Sequence, residues 1–391
     1  MGIRAGIVAV AALVALTGSA GTNAAAESGG ADRAALQQAM NDFVAAGVTG
    51  VQLRVHDQSG EWAGSAGIAE IGRQEGVPVD GRFRAGSITK TFIATVLLQL
   101  VGEGKVGLDD SVGRYLPQFG LDQRITVRMI LQHTSGLRSH STSADPADAS
   151  DPVLVDSVDR TYLPDEIVRF VVAQPLKFDP GAGWSYSNTN YVLAGLLIEK
   201  LTGTPYAWQV NLRIVLPLGL WRTEMPGTRT EILGPHGHGY VHYTEGGETK
   251  RTDATRQNPS WAGASGEIIS TTQDLAAFAT ALVGGRLLSP ALMSEMRDIR
   301  RPGPNVGYGL GLLEYDFPGE CVTVGHNGRM PGYSSEMLTT PDGRAGVVIS
   351  VTEGTFAAMS TEFQIAVLRL AGMALCGLTG PLFPAGATNG R

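Results

Sequence analysis

The chain has 391 residues, a formal net charge of −7 and 17% charged residues, a balance ordinary for a globular enzyme that argues against non-specific nucleic-acid binding. Beyond the N-terminus no stretch approaches ~18 uninterrupted apolar residues, so no stable membrane span is expected.

The first residues carry one cation, Arg4, then an apolar run over 5–16 and a stretch of small residues. Ala24 and Ala26 fit a signal-peptidase site, with cleavage after Ala20 the alternative. Residues 1–26 are therefore expected to be a removable leader and the protein to be secreted. About 365 residues remain, enough for one large domain or two intimate ones, expected over 31–376.

Leu36, Met40, Phe43 and Val44 share one face of a helix over 33–46, and strand-like runs follow in TGVQLRVHD and EWAGSAGIAE, joined by a hairpin turn. The middle is mainly helical. Phe92, Ile93, Val96, Leu97, Leu100 and Val101 form a stripe, and TVRMILQH, DEIVRFVVAQ and NYVLAGLLIEKL read as further helices, their apolar faces belonging to the core. Thr271 and Ser289-Pro290 are helix starts. Strands return in GYGLGLLEY, CVTVGH, YSSEMLTT and AGVVISV, the last two joined by the turn sequence Pro341-Asp342-Gly343-Arg344.

A last helix runs through EFQIAVLRLAGMAL, and the Gly- and Pro-rich tail, 377–391, is expected to be flexible. Strands at both ends and helices between them imply an α/β sandwich of the α+β type, one sheet built from the two chain ends with a helical lobe inserted.

Cys321 and Cys376 are the only cysteines. Export favours a disulfide between them, and two buried thiols are the alternative.

Only five of the thirty basic residues are lysines, and one stands in Gly86-Ser87-Ile88-Thr89-Lys90 at the mouth of an apolar helix. Positions three apart share a helix face, which places an amine beside the Ser87 hydroxyl. A serine becomes a nucleophile when a base takes its proton, and burial makes lysine such a base where arginine could not serve. Tyr186-Ser187-Asn188 supplies a phenol able to relay a proton and an amide able to hold a carbonyl. His326-Asn327-Gly328 supplies an imidazole and a closely approachable backbone at a strand end.

These three groups, in this order and spacing, resemble the penicillin-recognising serine hydrolases, most closely the secreted Streptomyces-type D-alanyl-D-alanine carboxypeptidases and, more distantly, class C β-lactamases, D-aminopeptidases and esterases. The resemblance is carried by FRAGSITK, DDSVGRYLPQF, ITVRMILQHTSGL, YSNTNYVLAGLLIEKLTG and GEIISTTQDL. It implies an antiparallel sheet flanked by helices plus an all-helical lobe, with the site between them.

It also implies an acyl-enzyme on Ser87, with Lys90 as its partner, Tyr186 as proton relay and His326 on the leaving-group side. Asn188 would hold the acyl-side amide, backbone N–H groups of Ser87 and Arg329 would form the oxyanion hole, and Trp261 would wall the cleft unless it is a core residue. Asn327, Gly328 and Arg329 would complete the substrate edge. The implied partners are D-amino-acid-containing peptides of the peptidoglycan type and β-lactams, acting on a monomer without cofactor. A penicillin-binding module without turnover is the non-enzymatic alternative.

The chain departs from those carboxypeptidases in two places. His-Asn-Gly-Arg stands where they have His-Thr-Gly-Thr, and Leu313 stands where an arginine binds the substrate carboxylate. Asn327 and Arg329 are two apart and face one way on a strand, so Arg329 is expected to supply the missing charge, unless it points to solvent.

His236, His238 and His242 fit zinc ligation only loosely and lack a His-Glu-x-x-His setting, so no metal is expected. His133 reads as a packing or capping residue at a helix end. No Gly-x-Ser-x-Gly elbow is present.

Overall fold

The computed structural model describes residues 30–141, 159–245, 247–353 and 361–380. The expected leader and residues 381–391 of the expected tail lie outside them. No helix among the described residues is long and apolar enough to cross a membrane.

The helices are α1 (Arg33–Ala45), α2 (Thr89–Gly102), α3 (Val112–Tyr115), α4 (Val127–Gln132), α5 (Pro164–Val172), α6 (Asn188–Thr202), α7 (Tyr206–Val210), α8 (Leu216–Leu218), α9 (Thr272–Val283), α10 (Pro290–Met296) and α11 (Thr361–Cys376). The strands are β1 (Gly50–Asp57), β2 (Gly60–Gly67), β3 (Phe83–Arg84), β4 (Tyr240–Glu245), β5 (Glu248–Asp253), β6 (Ile269–Ser270), β7 (Arg300–Gly303), β8 (Val306–Tyr308), β9 (Leu313–Phe317), β10 (Cys321–Met330), β11 (Tyr333–Thr339) and β12 (Gly346–Thr352).

Eight strands form one antiparallel sheet in the order β2-β1-β12-β11-β10-β9-β8-β7. The N-terminal hairpin therefore docks on the last strand, as the apolar runs at both chain ends imply. Alternation along β12 divides the core in two: Val347, Ile349 and Val351 pack with α1 and α11, whereas Val348 faces the cluster that holds the helical lobe.

Local chemistry sets the helix starts. Asp32 caps α1 by accepting from the N–H groups of Ala34 and Ala35, each at 3.0 Å, and Thr271 and Ser289 cap α9 and α10 as expected. Helix α2 is covered on every side from Thr89 to Leu98, as befits a helix apolar all round. Phe92 on it stacks on Phe278 of α9 at 3.7 Å between ring centroids, and cutting it back to alanine should cost about 3–5 kcal/mol.

Three expectations need correction. GYGLGLLEY is two strands, because Gly309–Leu312 turns back on itself through a Gly309 N–H to Leu312 carbonyl bond of 2.8 Å, with Gly311 at φ +77°. β10 does not end at His326 but continues to Met330, its ladder with β11 closing across Pro331-Gly332. The hairpin β4–β5 stands in the region read as helical.

Cys321 and Cys376 are joined by a disulfide across 55 residues, tying the start of β10 to the end of α11.

Candidate active site

Ser87 lies in a single 3-10 turn, Gly86–Ile88, between β3 and α2. The turn is pressed against β10: a Cβ on Gly86 would sit 2.3 Å from the Arg329 nitrogen, and Gly86 has φ +56°. Gly328 meets it from the other side, since a Cβ there would lie 1.8 Å from the Ala85 carbonyl oxygen. Both positions need glycine for this approach. Thr89 Oγ1 donates to the Gly86 carbonyl at 2.7 Å and accepts from the Ile268 N–H at 3.0 Å, fixing the turn.

One helical turn on, Lys90 is fully buried. Its Nζ is 2.8 Å from Asn188 Oδ1, 2.7 Å from the Ser265 carbonyl and 2.9 Å from Ser87 Oγ. The first two partners can only accept in this arrangement, because Asn188 Nδ2 is turned to Ser141 Oγ at 2.9 Å. A neutral amine has two hydrogens for those two acceptors, which leaves its lone pair toward Ser87.

Burial holds the Lys90 pKa well below its usual value. The Tyr186 ring, 4.8 Å from Nζ, would favour the ammonium by about 0.5–2 kcal/mol. Desolvation without a counter-ion costs several kcal/mol and wins.

Tyr186 approaches from the loop before α6. Burial raises its pKa, although a hydrogen bond with Ser87 works the other way, so at neutral pH it is a phenol. It lies over His133, ring centroids 4.3 Å apart. His133 caps α4 in the left-handed conformation, φ 63°. Its Nδ1 accepts from the Ser187 N–H at 3.2 Å and from Asn190 Nδ2 at 3.1 Å. The capping role expected of it is present, and it also positions the Tyr186 loop.

His326 is fully buried. Its Nδ1 donates to the Asn327 carbonyl at 2.6 Å, so Nε2 accepts from the Tyr308 hydroxyl at 3.0 Å. Burial, with Lys90 nearby, lowers its pKa to about 3, and it stays neutral at working pH.

The edge of β10 facing Ser87 is open. Pairing with β9 ends at Gly325, while Met330 and Tyr333 close the two-residue turn to β11. Alternation from that closing pair directs the backbone N–H and C=O of Asn327 and Arg329 away from β11, toward the Gly86 turn. The Arg329 N–H thus stands beside the Ser87 N–H, which heads a helix and has no intrahelical acceptor. Two such donors can receive a developing oxyanion.

The side chains of Asn327 and Arg329 share one face, as expected. Arg329 is half-buried; burial lowers its pKa, while Glu353, Glu336 and Tyr315 favour its charge.

The fold thus brings together Ser87, Lys90, Tyr186, Asn188, His326, Asn327, Gly328 and Arg329. Trp261 is the exception. It is 4% exposed and belongs to the helical-lobe core, so the core alternative is the one that holds. Its carbonyl accepts from His140 Nε2 at 2.8 Å, which ties that turn to α6 through His140 and Thr189.

The sequence reading missed Ser265, whose contribution is a carbonyl that any residue could make, and Tyr308, which lies eighteen residues before His326 on another strand and meets it only through the assembled sheet. His238 pairs with Asp253 and His236 with the Gly234 carbonyl. Among the described residues no group of three or more His, Cys, Asp or Glu could hold a metal ion.

The chain matches the family description Beta-lactamase over residues 34–368. Penicillin-binding protein 4* of Bacillus subtilis (strain 168) is 30% identical over 325 residues, 80% of this chain and 69% of that protein. The D-stereospecific amidohydrolase from Streptomyces sp. superposes with a TM-score of 0.77 at 38% identity, covering 89% of this chain and 100% of that one. D-amino acid amidase from Ochrobactrum anthropi SV3, complexed with L-phenylalanine amide, gives 0.76 at 32% identity over 87% and 97%.

Proposed function

This chain belongs to the beta-lactamase family and has its fold, and from that premise we propose that it is a serine hydrolase opening amide bonds of D-amino-acid-containing substrates through an acyl-enzyme on Ser87. The observation that carries the reading is the buried Lys90 amine 2.9 Å from Ser87 Oγ, its other two contacts being the acceptors Asn188 Oδ1 and the Ser265 carbonyl.

In this reading Lys90 takes the Ser87 proton as Oγ bonds to the substrate carbonyl carbon. The N–H groups of Ser87 and Arg329 hold the oxyanion. As the carbon–nitrogen bond breaks, Tyr186 hands its phenolic proton to the departing nitrogen and is reprotonated from Lys90. Water then enters by the reverse route and releases the acid. Asn188 orients Lys90 and the acyl-side amide. His326 acts through Tyr308 and the strand, since both its nitrogens are engaged within the protein.

The preference for D-amino-acid amides rests on the similarity to the D-stereospecific amidohydrolase and the D-amino acid amidase. A narrower second reading, D-alanyl-D-alanine carboxypeptidase, is favoured by Asn327 and Arg329 sharing the face beside the open edge. β-Lactams would acylate Ser87 under either.

Steady-state turnover of D- against L-phenylalanine amide, with diacetyl-L-Lys-D-Ala-D-Ala alongside, tests the proposal. Release of ammonia from the D-amide alone, lost in Ser87→Ala, is expected. Equal rates on both enantiomers, or activity surviving in Ser87→Ala, would refute it.

A further inference from the structure

His133 is fully buried and lies against the rings of Tyr186, Tyr191 and Tyr308, at 4.3, 5.5 and 4.7 Å between centroids. The helix cap does not require an imidazole. It is made by the His133 backbone N–H on the Met129 carbonyl, and glycine or asparagine would suit the left-handed position better.

Fixed hydrogens decide how the ring is protonated. The Ser187 N–H is a backbone donor that cannot be reversed, so Nδ1, 3.2 Å away, must accept. In a neutral imidazole the other nitrogen then carries the proton. The Asn190 amide must in turn present its NH2 to Nδ1, at 3.1 Å, and its oxygen to the Ser135 hydroxyl, which donates at 2.7 Å. Nε2 is buried and has no hydrogen-bond partner among the described residues, so the ring is held through Nδ1. Burial, with Lys90 and His326 nearby, keeps its pKa well below the usual histidine value.

Both neighbours of Tyr186 hang on this one residue. The Ser185 N–H donates to the His133 carbonyl at 3.0 Å, and the Ser187 N–H donates to its ring. Tyr186 between them is bonded to Ser87 and is the group placed to protonate a departing nitrogen.

We propose that His133 is the positioning residue of Tyr186: its Nδ1, kept free of a proton by Ser187 and Asn190, fixes the phenol over Ser87 and so sets how fast a poor leaving group departs. His133 does this without touching substrate. A departing amine needs the Tyr186 proton, whereas p-nitrophenolate leaves without one. Misplacing Tyr186 should therefore slow amides and spare an activated ester. The inference rests on the acyl-enzyme reading above and deepens it.

The test uses the full-length mature protein and compares kcat for D-phenylalanine amide with the burst rate constant for D-phenylalanine p-nitrophenyl ester. The burst amplitude counts folded, competent molecules. His133→Phe keeps a ring without the acceptor, and Asn190→Asp replaces the donor to Nδ1 by an acceptor. Each should lower the amide-to-ester ratio by on the order of 10², the cost of a misplaced reacting group, with KM for the amide little changed. His133→Asn, which retains an acceptor and suits the left-handed backbone, should recover most of the ratio. Nitrogen chemical shifts should place the wild-type proton of the His133 ring on Nε2.

A wild-type ring protonated on Nδ1 overturns the inference. So does an unmoved ratio in either variant that still gives a burst, or a loss in His133→Asn as large as in His133→Phe. Tyr186→Phe is the benchmark: an unmoved ratio there, or no ester burst in the wild type, would instead strike the acyl-enzyme reading itself.

Discussion

Lys90 Nζ stands 2.9 Å from Ser87 Oγ, and its other two contacts, to Asn188 Oδ1 and the Ser265 carbonyl, are both with acceptors. That set of partners suits an amine that donates twice and accepts once. A guanidinium in the same place would keep its charge and have no lone pair for the serine proton. Lys90→Arg and Lys90→Met should therefore both lose a factor on the order of 10³ in kcat, with circular dichroism showing each variant folded. Near-wild-type turnover by Lys90→Arg would mean that lysine supplies charge and not basicity.

How much of this was readable in advance differs by residue. Ser87 and Lys90 are three apart on one helix, and short-range periodicity displays such a pair directly. The strand run of His326 to Met330 was not displayed, because glycines weaken strand propensity locally, whereas the ladder to Tyr333–Met337 that holds it is a tertiary fact. The hairpin β4–β5 lacks an apolar alternation, all six residues of β5 being exposed, so no periodic signal announced it. The hydrogen bonds that join His133 and Ser135 to Ser187 and Asn190 span 54 to 57 residues, and nothing in that spacing connects them.

The imidazole of His326 should remain neutral, with its proton on Nδ1, from pH 8 down to about pH 4, because burial lowers its pKa to about 3. Nitrogen chemical shifts of the ring across that range provide the check. A midpoint near the ordinary histidine value would contradict the tautomer and both of its hydrogen bonds.

Burial pushes the Glu336 carboxyl up to about 8, although Arg329 pulls the other way. In the unfolded chain it titrates near ~4.3. Between those values the folded state holds a proton that the unfolded state has released, so its stabilising contribution is complete at low pH and is lost as pH rises through 8. Relative to Glu336→Gln, the wild type should lose at most about 1.4 kcal/mol of stability per pH unit between pH 5 and 8. Denaturant midpoints at several pH values measure this. A difference that grows in the opposite direction would show Glu336 ionised and paired.

The bond between Cys321 and Cys376 closes a loop of 55 residues. In the loop-entropy account its removal destabilises by about 4 kcal/mol. The double variant Cys321→Ala/Cys376→Ala should unfold at lower denaturant with an increased slope, as a less constrained unfolded chain exposes more surface. An unchanged midpoint would mean that strain in the native bond cancels the entropy gain.

The central claim is a covalent intermediate on Ser87, and intact-protein mass spectrometry of acid-quenched mixtures with benzylpenicillin and with D-phenylalanine p-nitrophenyl ester tests it most directly. The account predicts one acyl group per chain, mapped to the peptide containing Ser87 and absent from Ser87→Ala. Consumption of the ester with no adduct in the wild type, or an adduct that persists in Ser87→Ala, would contradict it.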